Sequence, residues 1–405
     1  MRVSVSRVVA ALLLWPALAT AQVKSLTEAE ALARLSDDNP VVQAAKAGIA
    51  IARADIAAAG RWPNPRFTFN REAVAGVSEN MFMVSQPLPI SGRRGFAIDA
   101  ATSRVAATTS RAEDRVRRLR ADVRTAFAQL WSVQTRDREL QSQLEGLRRL
   151  SEALARREAA GDAAGFDRLR AEREVLEVET TRAALAIDRA QATAILTSLL
   201  GVATDPIEAV LSSTSSTPVP NDDQLFALAE ETRGDLIAWR REVEAAQFAE
   251  RAADRLWVPE PEVVAGTKSS NVGSGDIGSV VSVHLNVPIF DRGKPERAAA
   301  QARASQATVE ADALRRSIRA EIAAWRTAVI ERRAVAERYR LAVSGAASQI
   351  ERITQVSYEA GERGILELLD AYRTAASARL RQVELDASAR QAEIELEFVS
   401  GWTLP

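Results

Sequence analysis

The chain has 405 residues, with 53 lysines and arginines against 54 aspartates and glutamates, one histidine and no cysteine. An evenly mixed charge gives no electrostatic footprint for nucleic acid, and the missing cysteines exclude disulfides, thiolate metal sites, cysteine catalysis and lipid attachment through an N-terminal cysteine. Richness in Ala, Arg, Glu and Leu, with 5% aromatic residues, favours long helices.

Arg2 and Arg7 precede an apolar run from Val8 to Leu18, and Ala19-Thr20-Ala21 fits a small-x-small cleavage pattern. Residues 1–21 therefore read as a secretory signal peptide cut before Gln22. The run is too short for a membrane anchor, and no later segment holds the roughly 18 consecutive apolar residues of a transmembrane helix. A short helix is expected over 26–38, ended by Asp38-Asn39-Pro40, and an alanine-rich one over 41–61, stopped by Trp62-Pro63-Asn64-Pro65. Arg66-Phe67-Thr68-Phe69-Asn70 then alternates apolar and polar, which predicts a strand over about 66–74 and a partner over about 80–87.

After Pro87-Leu88-Pro89-Ile90-Ser91-Gly92 a helix is predicted over 92–160. Val116, Leu119, Val123, Ala126, Leu130, Val133, Leu140, Leu144, Leu147 and Leu154 follow a coiled-coil repeat of about 3.5 residues, interrupted at Asp137. At about 1.5 Å per residue this helix reaches roughly 100 Å, more than a globular domain needs. Ala160-Gly161-Asp162 reverses it, and Phe166, Leu169, Leu176 and Ile187 carry the pattern through a helix over 163–200.

A Ser/Thr/Pro/Asp linker, 212–223, separates two halves. The second half repeats the first: helices from 224 and 236, Trp257-Val258-Pro259-Glu260-Pro261, strands over about 262–268 and 278–287, then Pro288-Ile289-Phe290-Asp291-Arg292-Gly293. Long helices follow over 292–359 and 363–399, reversed at Ala360-Gly361-Glu362, with Ile318, Ile322, Trp325, Val329, Tyr339, Val343, Ile350 and Ile353 on the heptad. The halves, 22–211 and 224–405, each read α-α-β-β-α-α, an internal duplication.

In 281–287 the odd residues are apolar and the even ones, Ser282, His284 and Asn286, polar. A half-buried soluble sheet shows this pattern, and so does a membrane barrel with lipid outside and water inside. Four strands cannot close a barrel, and lipid tolerates no open edge, so a membrane reading requires several copies. Two copies supply eight strands and three supply twelve, and only the larger barrel leaves a ready lumen.

Over essentially its whole mature length the chain resembles the TolC-family outer-membrane efflux proteins. The resemblance rests on the duplicated Pro-Ile strand exits, Asn39-Pro40, the two glycine tips and Gly-x-x-x-Ile-Leu-x-x-Leu-x-Ala at 361–371. Gln86-Pro87-Leu88-Pro89-Ile90-Ser91-Gly92-Arg93 looks most like the CzcC-type heavy-metal branch. The resemblance implies a mainly α protein with a membrane β-barrel: a homotrimer with a twelve-stranded outer-membrane barrel, continued by a long α-helical barrel in the periplasm. It also implies docking to a periplasmic adaptor and an inner-membrane RND pump, contact with outer-membrane lipid, and passive export, heavy-metal cations being one substrate class. A periplasmic coiled-coil adaptor or structural interaction protein with a small soluble sheet is the alternative.

No Ser/His/Asp set, phosphate loop or metal-ligand cluster stands out, so no enzyme activity, cofactor, metal centre or nucleic-acid partner is expected. Most carboxylates on these arginine-rich helices read as solvated faces. Glu367 and Asp370, three apart, share a helix face, and the resemblance places them as acidic rings at the periplasmic entrance. It also implies a latch of Tyr358, Arg363 and Asp167 and adaptor-docking tips at Gly161 and Gly361. Phe166 stands where relatives often carry a polar latch residue. Ser282, His284 and Asn286 are the expected lumen residues.

Overall fold

The computed structural model describes residues 24–161, 165–201, 207–211, 217–273, 275–343 and 345–403. The expected signal peptide, Asp162 and part of the 212–223 linker lie outside the described residues.

The described residues begin with a strand, β1 (Lys24–Thr27), where a helix was expected from residue 26. Thr27 and Glu30 cap each other's backbone and start α1 (Glu28–Ala33). Asn39 accepts from the Val41 amide and so opens α2 (Pro40–Lys46), which α3 (Gly48–Ala59) follows. The same Asn39 side chain donates to the Leu200 carbonyl at 2.6 Å, so the Asn-Pro motif also ties off the C-terminus of the helix ending there. Next come β2 (Arg66–Val74), β3 (Val77–Pro87), α4 (Arg93–Ala159) and α5 (Gly165–Leu200). β4 (Ile207–Val210) closes the first half, and the second supplies α6 (Asp222–Thr232), α7 (Gly234–Ala253), β5 (Pro261–Ser270) and β6 (Ile277–Leu285). It ends in α8 (Lys294–Val343), α9 (Ala346–Glu359) and α10 (Ile365–Ser400).

Two sheets result. β1 and β4 pair in parallel, and β2-β3-β5-β6 form one antiparallel sheet that joins the strand pairs of both halves. Gly266 permits the central β3–β5 pairing, because a Cβ there would lie 2.1 Å from the Phe82 carbonyl oxygen and 2.9 Å from the Met83 Cα.

The helices pack through three main cores. One joins β1, β4, α1 and α2 to α4 and α5 around Phe127, Leu130, Leu196 and Leu200. Another joins α6, α7, α8 and α10 around Leu225, Ile318, Ile322 and Leu396. The third runs along the long hairpins, where Leu140, Leu144, Leu147 and Leu154 of α4 meet Ala171, Val178 and Leu185 of α5 and Ile365 and Leu368 of α10. Each fully buried leucine or phenylalanine contributes roughly 1.5–3 kcal/mol.

Three features differ from the sequence reading. The helix expected over 292–359 is described as α8 and α9 on either side of Ser344, which lies outside the described residues, with Gly345 as the N-cap of the second. The heptad on α5 also merges two faces: Ala171, Val178 and Leu185 are buried, whereas Phe166, Leu169, Leu176 and Ile187 are exposed, as are Ile350 and Ile353 on α9. Finally, several carboxylates read as solvated are structural. Glu393 has no exposed side-chain surface and lies 2.6 Å from Arg333 and 3.0 Å from Arg390. Arg390 reaches on to Glu28 at 2.9 Å, and Arg124 bridges Glu28 and Glu397, each at 2.6 Å.

Candidate functional site

The two ends of the molecule carry the candidate residues. At one end α4 and α9 each stop in the same way. Gly161 (φ 79°) and Gly361 (φ 76°) adopt the left-handed conformation that reverses a helix, with open space around the position of a missing Cβ. Beyond Gly361, the Glu362 and Arg363 amides both donate to the Ser357 carbonyl, at 2.9 and 3.3 Å, so Arg363 is fixed at the outside of the turn. Its side chain makes no ion pair among the described residues.

Tyr358 packs at the end of the α4–α5–α10 core. Burial raises its hydroxyl above the ordinary 10.0, the Arg157 charge lowers it, and the Asp167 charge raises it. The phenol is therefore neutral at physiological pH, and Tyr358 and Asp167 share one electrostatic neighbourhood within a single chain. Arg363, the third expected member, is not joined to them. Phe166 is instead covered by Arg170, whose guanidinium lies 4.3 Å from the ring centroid. Arg168 crosses this tip to Glu158 at 2.6 Å. On α10, Ile365, Leu368 and Leu369 are buried while Glu367 and Asp370 are exposed. The two carboxylates thus point away from the packed seam, and neither forms an ion pair among the described residues.

At the other end, the four strands have 9, 11, 10 and 9 residues, the length of tilted strands that cross a membrane, about 9–11 residues. One face carries Phe67, Phe69, Phe82, Val84, Val281, Val283 and Leu285, all exposed, with Val281 at 77%. Phe69 and Phe82 are cross-strand partners with centroids 4.7 Å apart. The opposite face carries Thr68, Asn70, Met81, Met83, Ser282 and His284, by register. His284 pairs in register with Glu262. Asn286, just past the end of β6, joins them, Arg93 and Glu260 around a cleft of about 320 Å³. Among the described residues no group of three or more His, Asp or Glu is placed to hold a metal ion, and no helix is long and apolar enough to cross a membrane.

Sequence reasoning missed the unpartnered apolar residues on α5 and α9, having placed them in the internal seam. The free edges of β2 and β6 are the open edges that the count of four strands anticipated.

Long paired α-helices, a spanning-length sheet with an apolar outer face, and two duplicated halves define an outer-membrane channel of the TolC type. A family model, "Outer membrane efflux protein", matches residues 31–202 and 225–401, and the chain belongs to that family. It is 29% identical to the nickel and cobalt resistance protein CnrC of Cupriavidus metallidurans over 306 residues, 70% of each chain. It is 24% identical over 344 residues to the cobalt-zinc-cadmium resistance protein CzcC of the same organism, covering 84% of this chain and 81% of that one. Its fold matches the CmeC outer membrane channel of Campylobacter jejuni with a TM-score of 0.77 at 12% identity, over 92% of this chain and 85% of that one.

Proposed function

We propose that three copies of this chain close a twelve-stranded barrel and form the exit duct of a tripartite efflux system, with heavy-metal cations as cargo. One observation carries the assembly: β2 and β6 are open edges of a sheet whose outer face is apolar and exposed. Lipid admits no unpaired strand edge, so β6 of one copy pairs with β2 of the next. The exposed apolar residues on α5 and α9 then meet neighbouring copies. The metal cargo is supported by the resistance proteins named above.

In this reading the two family-matched stretches correspond to the repeats 22–211 and 224–405, joined through 212–223. The chain is exported by cleavage of residues 1–21, is not lipidated, and holds its helical barrel in the periplasm. An inner-membrane RND pump supplies the energy, and a periplasmic adaptor docks at the Gly161 and Gly361 tips. Glu367 and Asp370 form two acidic rings that concentrate cations at the entrance. Tyr358 and Asp167 form the inner part of the latch, and Arg363 completes it from a neighbouring copy. Ser282, His284 and Asn286 face the water-filled lumen.

Planar-bilayer recording tests the latch and the rings together. Arg363→Ala and Asp167→Ala are expected to raise closed-state conductance, and the Glu367→Gln/Asp370→Asn pair to lower cation-over-anion permeability. Unchanged conductance in both single variants overturns the latch; unchanged selectivity overturns the rings.

A further inference from the structure

We propose that a basic cleft beneath the second strand pair binds the phosphate of an anionic phospholipid in the leaflet facing the periplasm. The proposal rests on the membrane placement of the sheet given above. The outward apolar residues of β6 continue past its end through Val287 and Ile289 to Phe290, which is 98% exposed. There the apolar band stops and α8 begins.

Beside that rim lies a cleft of about 630 Å³ between α7, α8 and the start of α4. Five cations line it: Arg251 and Arg255 from the α7 end, and Arg292, Lys294 and Arg297 from the α8 start. Arg297 is neutralised by Asp254 at 2.5 Å. Arg251, Arg255, Arg292 and Lys294 make no ion pair among the described residues. In a chain whose acids and bases balance at 54 and 53, four unpaired cations on one cleft call for an anion from outside the chain.

Its aromatic lining decides between a lipid and a free ion. Phe96 and Trp257 border the cleft, with the Arg255 guanidinium 5.9 Å from the Phe96 centroid, and Trp257 is mostly exposed. An aromatic ring beside cations at the edge of an apolar band is the arrangement that headgroups meet at a membrane interface. His284, Asn286 and Pro288 line the other cleft, which shares only Arg255 with this one. None of the expected lumen residues Ser282, His284 and Asn286 lines the basic cleft.

Native mass spectrometry of the assembled, detergent-purified protein tests this with phosphatidylglycerol and phosphatidylcholine as probes. Wild type is expected to retain phosphatidylglycerol preferentially, and Arg292→Gln/Lys294→Gln to weaken that retention about thirtyfold, leaving phosphatidylcholine unchanged. Equal retention of phosphatidylglycerol by wild type and variant overturns the proposal. So does full displacement by inorganic phosphate at equal concentration, which marks a free-phosphate site. If the first variant does not assemble, Arg251→Gln/Arg255→Gln takes its place under the same criteria. Outer-membrane fractionation of wild type reads the channel assignment separately: a protein absent from that fraction refutes the channel, whereas a membrane-inserted protein without lipid preference refutes only the cleft.

Discussion

Glu393 is a carboxylate with no water contact, held between Arg333 and Arg390. Such a pair adds little net stability over an apolar replacement, but removing one member leaves charges buried without compensation. Glu393→Ala strands the Arg333 guanidinium and leaves Arg390 with Glu28 alone, and is expected to cost about 3–5 kcal/mol, read as a lower denaturant midpoint at constant slope. Glu367→Ala, at an exposed position, should move that midpoint little. Sequence alone could not separate these two glutamates, because both sit on arginine-rich helices. What separates them is which helix face the neighbouring elements cover, a property of the packed molecule.

At the scale of elements, Gly345 is the N-cap of α9 with a near-helical backbone (φ −97°, ψ −40°) and no described atom within 4 Å of a missing Cβ. Alanine fits there without a clash and favours a helix by about 1 kcal/mol over glycine. Gly345→Ala should therefore raise thermal stability by up to about that amount, measured as a higher melting temperature. A lower melting temperature would show that glycine is required at this cap. The spanning strands and long helices were legible because their periods of two and about 3.5 persist over many residues. The four-residue strands β1 and β4 were not, since so short a segment carries no period and forms only when its partner, 183 positions away by the Lys24–Ile207 register, is in place.

For the whole molecule, the decisive contact is the β3–β5 junction that welds the two halves into one sheet. Gly266→Ala places a methyl group 2.1 Å from the Phe82 carbonyl oxygen, so the strands must separate and the barrel contribution of the chain splits in two. Heat-modifiable gel mobility is expected to lose the folded band in this variant, while Gly361→Ala, which strains only the left-handed turn at an open tip far from the sheet, retains it. The four long strands of the joined sheet were readable from sequence, and their number is what argues for several copies. The second, unpartnered apolar face of the helices was not readable, because a residue that binds a neighbouring copy and one that binds its own chain look alike in a heptad.

The salt bridge between Glu28 and Arg390 joins residues 362 apart in sequence. With Arg124, which bridges Glu28 and Glu397, it means that the ion pairs at the start of α1 are complete only when the last helix is in place. Such high contact order makes folding slow and leaves apolar helix faces uncovered meanwhile. A chain that ends before α10 is therefore expected to leave Glu28 without Arg390, and the faces of α4 and α8 that α10 covers without a partner, measured as faster cleavage by added protease.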